Sequence, residues 1–140
     1  MQKIIIDTNV LVSSLIQKSY PYKIIFELFL EDKINLCVSN PILKEYHDVL
    51  ERPKFAQFAE FYIKAKIVLT NIETKAVCYE PNIKLDLITD KDDNKFLELA
   101  DICKAEYLIT GNINDFTFPR YNQTDIISPK DFWENHRPIY

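Results

Sequence analysis

Acidic side chains in this chain fall where an α/β fold would gather them. Asp7 directly follows the β-branched run Ile4-Ile5-Ile6, and Asn112 and Asp115 follow the run Tyr107-Leu108-Ile109 that leads to Thr110. If both runs are parallel strands, these side chains meet beyond the strands' carboxyl ends, where open parallel sheets bind ligands. Carboxylates gathered there would hold divalent cations. A second reading of Asp7-Thr8-Asn9 is helix capping, for which all three residue types are suited. Asp93 lies one turn before Phe96 and Leu97, on the inward stripe Phe96, Leu97, Ala100, Cys103. An ionised carboxylate pointing inward is costly unless it is paired or bound to a cation. Against this, Asp90, Asp92 and Asp93 could simply decorate a helix N-terminus, whose dipole favours anions. Periodicity does not separate Asp92 from Asp93. Glu45 flanks the apolar stripe of its own helix, one turn after Ile42 and one before Val49, where a solvated glutamate is the ordinary reading.

The elements that must position these acids alternate along the chain. Ile4-Ile5-Ile6 and Tyr107-Leu108-Ile109 read as buried parallel strands, with Leu36-Cys37-Val38 and Ile126-Ile127 as weaker candidates. Between them, Pro21 opens a helical stretch through Ile24, Ile25, Leu28 and Phe29. Asn40-Pro41 starts a second helix carrying Ile42, Tyr46, Val49 and Leu50 and stopped by Pro53. Residues 55–69 are apolar on nearly every face. Asp90 could cap a helix running to about Lys104, and Ser128-Pro129 starts a short terminal one. Strands alternating with helices predict an α/β domain with a mainly parallel sheet covered on both faces. No linker, repeat or low-complexity tract divides residues 1–140, so a single domain is expected.

Composition narrows the class. The chain has 140 residues, 47% of them hydrophobic, and a single glycine, which excludes disordered and collagen-like chains. The three cysteines, Cys37, Cys78 and Cys103, lack CxxC spacing; with only two histidines they form a poor zinc set. They read as small core hydrophobes of a protein kept in a reducing, cytoplasmic compartment. His47 and His136 read as surface residues. No stretch approaches the roughly 18 uninterrupted apolar residues of a membrane span, and Asp7 interrupts the apolar N-terminus, so no secretory signal is expected. The formal charge of −4 excludes a bulk polycation but not a carboxylate cluster awaiting cations.

Taken together, these residues resemble the PIN-domain nucleases, and among them the VapC-like toxins of type II toxin–antitoxin systems. Ile6-Asp7-Thr8-Asn9-Val10-Leu11-Val12 is similar to the family's first motif, an aspartate on the first strand followed by Thr-Asn. Ser39-Asn40-Pro41-Ile42-Leu43-Lys44-Glu45 is similar to the second, in which a helix supplies the glutamate. The segment from Asp90 to Ala100 resembles the third, whose aspartate precedes apolar residues three and four positions on and a small residue seven on; that spacing selects Asp93. Leu108-Ile109-Thr110-Gly111-Asn112-Ile113-Asn114-Asp115-Phe116 resembles the fourth. The commoner form has aspartate at the position of Asn112, and a variant with Asn there and Asp three residues later makes Asp115 the fourth acid.

The resemblance implies a three-layer α/β/α domain and a Mg²⁺- or Mn²⁺-dependent endoribonuclease. Asp7, Glu45, Asp93 and Asp115, brought together, would repel one another without counter-charge, and hard oxygen donors favour Mg²⁺ or Mn²⁺ over zinc. Asp7 and Asp93 would be the principal ligands. Glu45 would ligate, or orient and deprotonate the attacking water, and Asp115 would be an outer ligand. Thr8, Asn9, Thr110 and Asn112 would hold the carboxylates by hydrogen bonds. RNA would enter over Lys44, Lys91, Lys95 and Arg120, which flank the acids in sequence. The resemblance also implies a homodimer silenced by a cognate antitoxin, for which the apolar surplus of residues 55–69 would provide a surface; two packed core helices would explain that surplus equally well. A PIN nuclease of RNA processing, a DNA-directed one, and a degenerate PIN domain acting as a binding module are the alternatives. Phosphotransfer folds fit less well, because Asn9 stands where haloacid-dehalogenase-like phosphatases need a second aspartate.

Overall fold

A computed structural model of the chain describes residues 1–88, 91–113, 116 and 118–139. It opens with β1 (Lys3–Ile6) and α1 (Thr8–Ile16). Helix α2 starts at Tyr20–Tyr22 and widens to a π-helix over Lys23–Phe29, where the Leu30 amide reaches back five residues to the Ile25 carbonyl at 2.9 Å. β2 (Asn35–Ser39), α3 (Asn40–Leu50), a 3₁₀ turn (Pro53–Gln57), α4 (Phe61–Lys75) and β3 (Val77–Tyr79) follow. A 3₁₀ turn (Lys91–Asp93) leads into α5 (Asn94–Cys103), then β4 (Tyr107–Ile109), β5 (Arg120–Tyr121) and β6 (Thr124–Ile127). Helix α6 covers Pro129–Asp131 and continues as π turns over Phe132–His136, and the Ser128 hydroxyl caps it by accepting from the Asp131 amide at 3.0 Å.

The strand order is β3-β2-β1-β4-β6-β5, parallel throughout except where β5 turns back against β6. The expected α/β fold with a mainly parallel sheet is thus the one observed. From β1 the chain builds outward to β2 and β3 on one side, whereas β4 and β6 lie on the other. The β1/β4 boundary is therefore the point where the winding reverses, and a crevice opens there beyond the strand ends. Ile4, Ile5 and Ile6 are fully buried at the centre of one continuous apolar cluster.

Several elements differ from the sequence reading. Helix α1 precedes the first helix expected, because Ser13 and Ser14 dilute its apolar stripe of Val10, Leu11 and Leu15. β3 and β5 are short edge strands that bury little, so neither leaves an apolar run in the sequence. Cys37 and Cys103 are core residues as expected, but Cys78, on the β3 edge, is exposed. Residues 55–69 are not two packed helices: a 3₁₀ turn stacks Phe55 on Phe61 (4.5 Å between ring centroids), and α4 leaves Tyr62, Ile63 and Ile67 exposed. No helix among the described residues is long and apolar enough to cross a membrane.

The segment after β3 runs without regular structure over α5 and is stapled to it by side chains. Asn94 Oδ1 accepts from the amides of Leu87 (3.0 Å) and Ile88 (3.3 Å), and Glu98 Oε2 accepts from the Leu85 amide at 2.9 Å. Both acceptors are buried, one turn apart on the same face. Asn94→Ala strips the acceptor from two amides and is expected to destabilise the protein by about 2 kcal/mol. A urea titration checks this, with Asn94→Asp, which keeps the acceptor, expected to lose less.

Candidate active site

The crevice at the β1/β4 boundary is built by backbone pairing first. The Asp7 amide continues the β1–β4 ladder to the Ile109 carbonyl (2.9 Å), and the Thr110 amide continues the β4–β6 ladder to Ile127 (3.0 Å). Both residues are thereby fixed side by side at the sheet edge. The Thr110 hydroxyl donates to Asp7 Oδ2 at 2.7 Å, and the Asn112 amide donates to that hydroxyl oxygen at 3.1 Å. Asp7 occupies the N-cap position of α1, yet its carboxylate makes no capping bond; the nearby amides of Thr8 and Asn9 only favour its charge. It is 4% exposed. Burial, reinforced by the charge of Glu45, outweighs the Thr110 hydrogen bond and those amides, so the Asp7 carboxyl titrates above its ordinary value.

Glu45 reaches the same place from α3, half-buried. The Thr8 hydroxyl donates to its Oε2, and Lys95 Nζ, from the first turn of α5, donates to its Oε1 at 2.7 Å. Tyr46, the next residue, is fully buried and donates its hydroxyl to the Ile6 carbonyl, tying α3 to the end of β1. Surrounded by Asp7 and Glu45 and removed from water, its phenol titrates well above the usual range, chiefly because of burial. A cleft of about 690 Å³ opens beside Glu45, lined among others by Lys44, Arg52, Lys84, Asp92 and Lys95. A smaller depression of about 390 Å³ lies beside Asn9 and Asn112.

The residues singled out in the sequence are distributed as follows. Asp7 and Glu45 come together, Thr110 holding Asp7 and Thr8 holding Glu45. Asp93 is half-buried at the entrance to α5, whereas Asp92 is exposed and lines the cleft. Asp115, Asp90 and the side chain of Lys91 lie outside the described residues. Among the described residues, no group of three or more His, Cys, Asp or Glu side chains is arranged to hold a metal ion. Asn9 and Asn112 are exposed. Of the basic candidates, Lys44 and Lys95 line the cleft. Arg120 does not: it lies on the outermost strand, β5, and pairs with Asp125 at 3.2 Å. Sequence proximity misled there, because the chain between β4 and β5 carries Arg120 across β6 to the sheet edge. His47 pairs with Glu73 (2.8 Å) and His136 packs on Tyr107 (5.1 Å), so both stand outside the site.

The sequence reading missed the Lys95–Glu45 pair, the Tyr46 tether, and the contributions of Arg52 and Lys84 to the cleft. None of these left a local signal, because each depends on elements far apart in the chain.

Replacing Thr110 tests the construction of the site. Thr110→Val keeps the shape but removes the donor to Asp7 and the acceptor of the Asn112 amide. Groups that hold a metal's ligands this way are generally worth about 10–100-fold in affinity or activity. A comparable loss in divalent-ion affinity is expected, measured by titration calorimetry with Mn²⁺.

A buried aspartate thus stands at the winding reversal of a parallel sheet, faced by a helix-borne glutamate. A family model described as "PIN domain" matches residues 3–114, and the chain belongs to that family, whose members are generally nucleases using Mg²⁺ or Mn²⁺. The chain is also similar to the uncharacterized protein MJ1680 of Methanocaldococcus jannaschii, with 36% identity over 111 residues, covering 79% of this chain and 70% of that protein.

Proposed function

We propose that the protein is a divalent-metal-dependent endoribonuclease acting in the cytoplasm as the toxin of a toxin–antitoxin pair, with 1–140 as its single catalytic domain. The observation that carries the nuclease reading is the Asp7 carboxylate, nearly dry, oriented by Thr110 and facing Glu45. Such a pair of oxygen donors fits Mg²⁺ or Mn²⁺: each carboxylate raises the cost of ionising the other, and a hard cation relieves it. Asp7 and Glu45 would hold the ion, with Asp93 and Asp115 as the further acids that the motif order supplies. When bound, the ion supplies an acidified water and neutralises charge on the leaving oxygen.

The chain's own residues do the rest. Thr110 fixes which Asp7 oxygen faces the crevice. Thr8 pins Glu45 Oε2, so a ligand or proton would meet Glu45 at Oε1, the oxygen that Lys95 holds. Lys44, Arg52 and Lys84 offer cations to a phosphate backbone in a cleft of mixed charge, where Asp48, Asp86 and Asp92 also line the wall. For the antitoxin and a homodimer, the supporting feature is the exposed Tyr62, Ile63 and Ile67 on α4, an apolar surplus that a solvated helix does not need.

The test is cleavage of a mixed cellular RNA pool by the full chain with Mn²⁺ or with EDTA. Discrete products that vanish in EDTA are expected. Cleavage of DNA alone would shift the substrate class, and no cleavage of either by folded, Mn²⁺-loaded protein would overturn the nuclease reading.

A further inference from the structure

The Lys95–Glu45 pair is unusual for its position. Lys95 is the second residue of α5, where the helix dipole disfavours a cation. Its ammonium nevertheless crosses to α3 to reach Glu45 Oε1 at 2.7 Å, and the two side chains are only 18% and 26% exposed. The ammonium also lies over the ring of Phe96, whose centroid is 5.7 Å from Nζ. An exposed ion pair on a helix surface would be worth little. This one is half-withdrawn from water and aimed at a carboxylate whose other oxygen is already taken by Thr8. Glu45 also adds its charge to that of Asp7. Among the described residues, the contacts of Glu45 therefore join it to a second acid, Asp7, and to one cation, Lys95.

Resting on the reading of this site as a metal centre, we propose that Lys95 holds the place of a divalent ion at Glu45. In the metal-free protein its ammonium neutralises the carboxylate and keeps α3 and α5 at their working separation. A metal that uses Glu45 Oε1 must displace it. Lys95 thus weakens metal binding and sets the ion concentration at which the site fills. It is a positioning residue, acting through Glu45. The displaced ammonium, still tethered to α5 beside the cleft, is then available to a substrate phosphate.

The prediction runs opposite to that of a merely structural contact. Losing a structural contact would loosen the site and weaken metal binding. Lys95→Met removes the competitor and should tighten Mn²⁺ binding by about tenfold, the weight of a hydrogen bond to a charged group. Lys95→Arg keeps a competing cation and should bind Mn²⁺ no more tightly than wild type. Lys95→Gln serves as a second charge-removing variant should the methionine disturb folding, which circular dichroism monitors. Mn²⁺ affinity is measured by the electron paramagnetic resonance signal of free Mn²⁺ on the full chain. Wild type that binds, with Lys95→Met and Lys95→Gln binding equally or more weakly, overturns the role of Lys95 and leaves the metal centre standing. Failure of wild type and variants alike to bind Mn²⁺ overturns the metal centre and this proposal with it.

Discussion

Asp7→Asn should abolish cleavage and stabilise the metal-free protein at once. The activity loss is expected to be about a thousandfold or more, because the substitution removes the carboxylate on which the site is centred. The gain in stability follows from burial. The folded protein holds the Asp7 proton more tightly than the unfolded chain, where the value is near 3.8. Its contribution to stability is therefore fully present below that pH and is lost as pH rises through the raised folded value. Above that value the ionised side chain is a cost to the fold relative to the protonated one, and a bound cation would relieve it. Asparagine still accepts from the Thr110 hydroxyl but carries no charge. The thermal midpoint in EDTA should rise by roughly 3 °C, the change that about 1 kcal/mol produces at this chain length. Mn²⁺ should raise the midpoint of wild type and leave that of the variant nearly unmoved. A variant that is inactive and also less stable would mean that the carboxylate is structural. Comparable single-turnover rates for the two proteins would remove Asp7 from the chemistry.

What the sequence showed of this arrangement followed from how strongly each residue is constrained locally. Ile4-Ile5-Ile6 and Tyr107-Leu108-Ile109 are strands buried on both faces, so each is a continuous apolar run, and the residue that ends each run had to lie at the sheet edge. That brought Asp7 to one sheet edge with the residues that follow Thr110, without knowledge of the strand order. The edge strands were invisible for the converse reason. Val77–Tyr79 and Arg120–Tyr121 bury little and are held by main-chain pairing, which has no side-chain signature. Glu45 was ambiguous because its stripe position fits solvent as well as a site. Its environment is set by Lys95, 50 residues away on another helix, and no periodicity reports a contact across elements. The buried polar pair Asn94 and Glu98 was hidden differently: the surface they occupy is covered by residues 84–88, and a segment without regular structure leaves no pattern for the residues beneath it. Composition spoke only to class, since a net charge of −4 fits equally a metal-binding edge and an ordinary acidic surface.

Phe96→Ala should produce the largest loss of stability of any substitution considered. The ring is fully buried in the core. Removing such a ring costs about 3–5 kcal/mol, the transfer free energy of the lost atoms plus that of the cavity left behind. Domains of this kind have only about 5–15 kcal/mol in total. The thermal midpoint should accordingly fall by roughly 10–15 °C, and the urea midpoint should fall with little change in slope. Phe96→Leu, which refills most of the space, should recover more than half of the loss. The position also bears on the site. α5 carries Asn94 and Glu98, which staple the segment over it, and Lys95, whose ammonium lies against the Phe96 ring. With alanine at 96 the helix remains held by Leu97, Leu99, Ala100 and Cys103, all buried. The folded fraction should therefore keep its topology while Lys95 loses part of its support. If Lys95 competes with metal at Glu45, the leucine variant, folded at room temperature, should bind Mn²⁺ slightly more tightly than wild type despite being less stable. Weaker Mn²⁺ binding in that variant would mean instead that α5 positions the acids themselves and that the lysine is incidental to affinity.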